Sequence, residues 1–260
     1  ESGPALGAAR PVVGRAKKIN RARSKTRRRS RRGRPGKDDR LMVSAMLYVL
    51  RTGVPWRDMP THFGPWSSVY TRFRRWCAVG LFGRMLASLA RRAQGELRHL
   101  DCSHIKLHQH GANPRGGQSP QAIGRTKGGI NTKLAAVVDT RGRAVALGLA
   151  AGPRHDLYAV EPLLPHLRGH RAVADKGFDA DTFRTKLRCQ RTRICIPPKR
   201  SRRRQIAFHR GYYRGRHKVE NFFGRIKRHR RISTRYEKLA LTFLAFVQLA
   251  AVLDWLTHRF

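Results

Sequence analysis

Apolar residues recur at helical spacing between residues 37 and 94. Met42, Ala45, Met46 and Val49 mark one stripe, which stops at Gly53 and Pro55. A second helix is expected after it, with Ser67 as the N-cap, Val69, Phe73 and Trp76 on one face and Arg72, Arg74 and Arg75 on the other. A third is expected over 81–92. From Arg98 the texture changes. LRHLDCSHIKLH reads as a strand, and the Gly-rich HGANPRGGQSPQAIGRTKGGINTK reads as a long mobile hairpin loop. The strands KLAAVVD and RAVALGLAA follow, joined by a turn at Thr140, Arg141 and Gly142. A helix around 157–167, the strand RAVADKG, a helix around 181–189 and the strand RICIPP come next. A long helix over 216–230 and an apolar helix at 239–256 close the chain. Three strands followed by helix–strand–helix–strand–helix is an α/β pattern, and no internal repeat appears.

Charge narrows the class of partner. The chain of 260 residues holds 57 Lys and Arg against 15 Asp and Glu, a net +42 with His neutral. A small soluble domain typically carries a net charge of about 2–8 in magnitude. Such a surface calls for a polyanion, whose condensed counterions are released on contact: DNA, RNA or an anionic membrane. Residues 1–34 hold 13 of the bases and one acid, with few large apolar residues, and read as a disordered basic arm. The rest keeps 44 bases against 14 acids, so it is basic in its own right. With 40% apolar residues there is enough material for a core, which excludes a wholly disordered basic protein. The stretch 239–256 is interrupted by Thr242, Gln248 and Asp254 and reads as a buried core helix, not a membrane span. No apolar signal-peptide region is visible near residue 1. Cys77, Cys102, Cys189 and Cys195 form no metal-binding spacing and read as reduced, buried thiols. Three organisational segments result: a basic arm at 1–34, a helix-turn-helix-like DNA-binding domain at 35–95 whose basic helix offers Arg72, Arg74 and Arg75, and an α/β domain at 96–260.

With so few carboxylates, each can be weighed. Most fall in loops, at helix starts or beside bases. Asp101, in the first strand of the α/β region, Asp175, at the end of the fourth, and Glu220, inside the long helix, do not. A carboxylate in an apolar strand is costly unless it is paired or bound to metal. One reading pairs each with an Arg or Lys; the other brings the three together as an oxygen-donor cluster for hard divalent cations such as Mg²⁺. Two such ions can activate an attacking oxygen and stabilise a leaving one in phosphodiester chemistry. Around Glu220, the positions Tyr213, Arg216 and Lys227 lie at −7, −4 and +7. On one continuous helix they fall within an arc of roughly 60°. An ion-paired helix surface, with Arg216 and Glu220 at i,i+4, is the plainer account of the same stripe.

The spacing Y-x2-R-x3-E-x6-K, filled by Tyr213, Arg216, Glu220 and Lys227, resembles the YREK signature of insertion sequence 5 family DDE transposases. GVPWRDMPTHFGPWSSVYTRFRRW, LDCSHIKLHQH, GRTKGGINTKLAAVVD, GPRHD, ADKGFD and RRISTRYEKLALTFLAFVQLAA agree with it in order, from about Arg34 onward. The resemblance implies a ribonuclease-H-like catalytic domain whose DDE triad is Asp101, Asp175 and Glu220. It also implies Mg²⁺ or Mn²⁺ dependence, with two ions, and cleavage and strand transfer at transposon terminal inverted repeats by a homo-oligomer on DNA, in the bacterial cytoplasm at the nucleoid and not at a membrane. Tyr213, Arg216 and Lys227 would handle DNA phosphates near the cut, Arg bidentately and Lys as a point charge.

Two other classes fit the same residues: an inactive element remnant that only binds DNA, and a metal-dependent nuclease that hydrolyses without strand transfer. Residues 1–33 lack the apolar helical sequence that precedes GRP in the family, which favours the remnant; the intact triad opposes it. His104, His108 and His110 share a strand face but have no acid or Cys at zinc-ligand spacing, and read as polar strand-end residues. The GGQ…GRTKGG segment lacks P-loop spacing. Trp56 and Trp66 read as core anchors rather than base-stacking residues.

Overall fold

A computed structural model describes residues 38–257. The expected arm at 1–34 lies outside the described residues. Helix α1 (Asp39–Thr52) starts where the Asp38 carboxylate accepts the Arg40 N–H and buries the stripe seen in the sequence, with Leu50 added. It ends at Gly53, whose φ of +75° lets its N–H cap the Val49 carbonyl at 2.9 Å. Helix α2 (Trp66–Ala78) begins directly after Pro65, so Ser67 is inside the helix and caps nothing. Pro65 sets the entry angle through its fixed φ, which displaces the expected cap. Cys77 joins Val69 and Phe73 on the buried face, and Trp76 is only half-buried. Helix α3 (Leu81–Ala90) follows.

The sheet is built from β1 (Leu97–Leu107), β2 (Gly124–Thr126), β3 (Gly129–Val138), β4 (Ala144–Ala151), β5 (Arg171–Val173), β6 (Arg193–Cys195) and β7 (Thr234–Arg235). The order is β2-β3-β1-β5-β6, with β4 also paired to β3 and β7 to β1. β1, β3 and β4 are antiparallel; β5, β6 and β7 run parallel to their partners. The Gly-rich segment is not one mobile loop: it holds β2 and two 3₁₀ turns. The β3–β4 hairpin is pinned by Asp139, whose buried carboxylate accepts the Arg141 and Arg143 N–H groups and the Arg143 guanidinium, while Gly142 supplies φ +77°. The helix expected around 157–167 splits into α4 (Asp156–Val160) and a 3₁₀ stretch containing Pro165, which removes an N–H donor. Helix α5 (Asp181–Cys189) leads to β6.

The long helix expected over 216–230 is also divided. It becomes α7 (His217–Ile226) and the start of α8 (Arg230–Ser233); α6 (Arg210–Arg214) precedes it across tight i→i+3 turns at Gly215 and Arg216. The chain ends in α9 (Ala240–Thr257).

Alternation along β3 sends Leu134, Ala136 and Val138 to one face and Ala135 and Val137 to the other. The first face is covered by α1, α2, α3, α7 and α9 in one apolar cluster; the second by α4, α5 and the 3₁₀ stretch. The N-terminal helices therefore share their core with the C-terminal helix and one side of the sheet. Helix α9 has the length and composition to cross a membrane; half of it is buried here, against α3, α7 and β4. Its Asp254 is held by Arg225 at 2.6 and 3.0 Å, and Trp255 donates to the Ala144 carbonyl at 2.7 Å. All four cysteines are free; Cys77 and Cys195 are buried, but Cys102 is half-buried and Cys189 is exposed, against the expectation of buried thiols.

Candidate active site

β1 is where the sheet changes partners. On the flank away from β3 it pairs with β5 at residues 97–99 and with β7 at 106–107. Between these, no strand covers it among the described residues; α7 packs across β1 and β3 on the sheet face that carries Asp101. Asp101 and Ser103 lie on this open stretch.

Asp101 Oδ1 accepts the Cys102 N–H at 2.8 Å, and Oδ2 accepts Arg216 Nη1 at 3.4 Å. Burial pushes its carboxyl up to about 6. The Cys102 N–H and the Arg216 charge oppose that shift, and the negative charges of Asp175 and Glu220 add to it. Asp175 follows β5 and caps the 3₁₀ turn at Lys176–Phe178, its Oδ1 accepting the Lys176 N–H at 2.7 Å and the Tyr213 hydroxyl at 3.3 Å. Glu220, in the first turn of α7, accepts Arg216 Nη2 at 2.5 Å. One guanidinium thus spans Asp101 and Glu220. Burial works against the Arg216 charge, but Glu220 and Asp101 outweigh it and raise the guanidinium further.

Lys227, at the end of α7, donates to Ser103 Oγ at 2.7 Å and the His104 carbonyl at 3.2 Å. Burial lowers the pKa of this ammonium. Tyr213 lies on α6, so the stripe is not carried by one continuous helix. The tight turn at Gly215 still delivers Tyr213 to Asp175 and Arg216 to Asp101. His99, on the same face of β1 as Asp101, lies close against it: a Cβ on Gly215 would lie 2.9 Å from His99 Cε1. His99 is fully buried, with neither ring nitrogen hydrogen-bonded among the described residues. Burial, then the charges of Lys218 and His217, lower its pKa to about 4, so the ring is neutral. His99 and Ser103 were not singled out from the sequence; their i−2 and i+2 spacing from Asp101 on a strand was the available signal.

Arg72, Arg74 and Arg75 sit elsewhere, on α2. Arg72 pairs with Asp39 and lies over Trp76; Arg74 donates to the Tyr70 hydroxyl at 3.2 Å; Arg75 is exposed. The histidine trio does not form a site: His104 contacts Asn131, and His108 and His110 pack on each other.

Among the described residues no group of three or more His, Cys, Asp or Glu side chains is arranged to hold a metal ion. The donor chemistry nevertheless suits a hard divalent cation, because Asp101, Asp175 and Glu220 offer oxygen only and their mutual repulsion is what such a charge relieves. In this arrangement Arg216 supplies the positive charge between two of them.

Two family models match the chain. One, described as "Transposase DDE domain", covers residues 93–255. The chain belongs to the DDE transposases. The other, "Putative transposase of IS4/5 family", covers residues 17–86 and begins within the segment expected as a basic arm. The transposase is 35% identical over 131 residues to the "Putative transposase for insertion sequence element IS6501" of Brucella ovis, covering 49% of this chain and 99% of that protein. It is 38% identical over 91 residues to the uncharacterized protein y4sN of Sinorhizobium fredii, covering 34% of this chain and 73% of that protein. No solved structure gives a significant match. The DDE family acts on DNA and depends on divalent metal, and this transposase shares its mixed α/β architecture.

Proposed function

We propose that this transposase cuts DNA at the terminal inverted repeats of an insertion sequence and joins the ends to target DNA, with Asp101, Asp175 and Glu220 as its catalytic triad on a ribonuclease-H-like domain. One observation carries the reading. Three of the four residues of the Y-x2-R-x3-E-x6-K spacing reach partners more than 35 residues away, Arg216 to Asp101, Tyr213 to Asp175 and Lys227 to Ser103, and the fourth, Glu220, shares the Arg216 guanidinium with Asp101. A merely ion-paired helix surface accounts for the contact between Arg216 and Glu220 but not for the other three.

The three carboxylates would hold Mg²⁺ or Mn²⁺, as two ions, and bound metal supplies activation of the attacking oxygen and neutralisation of charge at the scissile phosphate. The chain's own residues do the rest. The Tyr213 hydroxyl fixes the rotamer of Asp175. Arg216 offsets the repulsion between Asp101 and Glu220 before DNA arrives, and its forked donors then suit a phosphate. Lys227, held by Ser103 and the His104 carbonyl, is a point charge for the phosphate backbone alongside β1. Arg72, Arg74 and Arg75 would give further DNA contacts from a helical DNA-binding segment at 35–95. Joining two ends calls for two active sites held together, which a symmetric homo-oligomer on DNA provides. The place of action would be the bacterial cytoplasm, at the nucleoid.

The test is cleavage and joining of labelled terminal-repeat DNA with a target plasmid, in Mg²⁺ and in EDTA. Asp175→Asn should lower cleavage by orders of magnitude while gel-shift affinity stays equal or rises slightly. A folded Asp175→Asn protein that cuts at near-normal rate beside an active wild type would overturn the assignment.

A further inference from the structure

Several aromatic residues take no part in the carboxylate site, yet they meet elsewhere. Trp56, Trp66, Tyr70, His108 and Tyr236 line one cleft of about 840 Å³, within the range of pockets that enclose small ligands. Trp56 forms its floor, stacked on Phe246 at 5.8 Å and tilted against Phe73 and Tyr70. His108 and Tyr236, from the segments after β1 and β7, stack on each other at 4.7 Å. Trp66 is not the core anchor expected from the sequence: it is 36% exposed. A large aromatic face left open to solvent has apolar area to gain from a flat partner.

The exposed charge around this cleft is of one sign. Arg57 lies over the Trp66 ring at 5.6 Å and Arg74 over Tyr70 at 5.9 Å, while Arg115 and Lys238 add two exposed cations. The lining includes one acid, Glu237, which is buried and tied to Arg231 at 2.6 Å. Aromatic faces interleaved with cations match the chemistry of an unpaired nucleotide, whose base stacks while its phosphates meet the bases of the rim. A paired base inside duplex DNA presents no free face and cannot use such a cleft.

We propose that this cleft binds an unpaired base of the DNA strand held by the transposase, a site separate from the carboxylate cluster. The proposal rests on the DNA-processing reading above. His108, just past the end of β1, follows Asp101 by seven residues, which at strand rise sets the cleft roughly 23 Å of chain from the carboxylate site.

The test uses the full chain and two DNA probes. A fluorescent oligo-dT strand reports single-strand affinity. Terminal-repeat duplexes carrying 2-aminopurine at successive positions report unstacking and capture of one base. Trp66→Leu is compared with Trp66→Phe, which keeps a stacking face; both change an exposed side chain, and circular dichroism checks the fold. Wild type should bind the strand and show an emission change at one position of the duplex. Trp66→Leu should lose that change and roughly tenfold or more in single-strand affinity, in line with one lost stack. Trp66→Phe should retain most of both. Equal single-strand binding by wild type and Trp66→Leu would overturn the proposal, as would a wild type that binds no single strand. Loss of single-strand affinity equal in both variants would point to phosphate contacts alone and would also overturn it. Failure of the catalytic reading shows separately, as unchanged cleavage by Asp175→Asn.

Discussion

Asp101→Asn should make the transposase more stable while abolishing cleavage, and the gain should depend on pH. The Asp101 side chain is 19% exposed, and burial, offset only in part by the Cys102 N–H and Arg216, raises its carboxyl from 3.8 to about 6. A raised acid is a liability to the fold once ionised. Below pH 3.8 both folded and unfolded chains keep the proton and Asp101 costs nothing. Between 3.8 and 6 the unfolded chain releases its proton first, so stability falls as pH rises. Above 6 the folded state carries the full penalty, about 3 kcal/mol from the size of the shift. Asn is nearly isosteric and still accepts the Cys102 N–H, and Arg216 keeps Glu220. The variant should therefore be more stable by about 3 kcal/mol at pH 7.5 and by only about 1 kcal/mol at pH 4.5. Urea unfolding of both proteins in EDTA at the two pH values measures the double difference, in which charge repulsion common to both cancels. A variant no more stable than wild type at pH 7.5, or equally stabilised at both pH values, would refute the reasoning.

Divalent metal should reverse that liability: Mg²⁺ or Mn²⁺ at ten times its dissociation constant should stabilise the wild type by about 1.4 kcal/mol in thermal melts and leave Asp101→Asn unmoved. Gly215→Ala places a methyl 2.9 Å from the enclosed His99 ring, so the turn carrying Tyr213 and Arg216 must shift; cleavage should fall at least tenfold with DNA binding retained in gel shifts. Asp179→Asn leaves Arg184 buried without its carboxylate partner at 2.7 Å and should cost about 3 kcal/mol or more at pH 7 in urea unfolding. Burial tends to raise the Asp179 carboxyl, but Arg202, the Lys199 N–H and Arg184 hold it well below the ordinary range. Its contribution is thus complete above pH 3.8 and should shrink as pH falls below that value.

Elements whose burial follows local periodicity were legible in the chain before any coordinates. Met42, Ala45, Met46 and Val49 line the buried face of α1, and the apolar run KLAAVV lies in β3, buried on both faces. The three unusual acids could be picked out because a carboxylate in an apolar strand has a cost that composition alone reveals. Backbone detail was less legible. Ser67 has the chemistry of a cap, yet Pro65 starts the helix first, and the helix expected over 216–230 stops at Ile226, with a separate short helix from Arg230. β2 was hidden because Gly-rich sequence carries no side-chain alternation to read. Only the tertiary structure decided that Arg216 reaches Asp101 across 115 residues of chain and that Trp66 faces solvent beside four cations. Periodicity reports which side of an element is buried, because burial repeats with the element's own geometry. It does not report what the element is buried against. That depends on α7 settling across β1 and β3 on the sheet face that carries Asp101, a choice made by the packing of the whole chain.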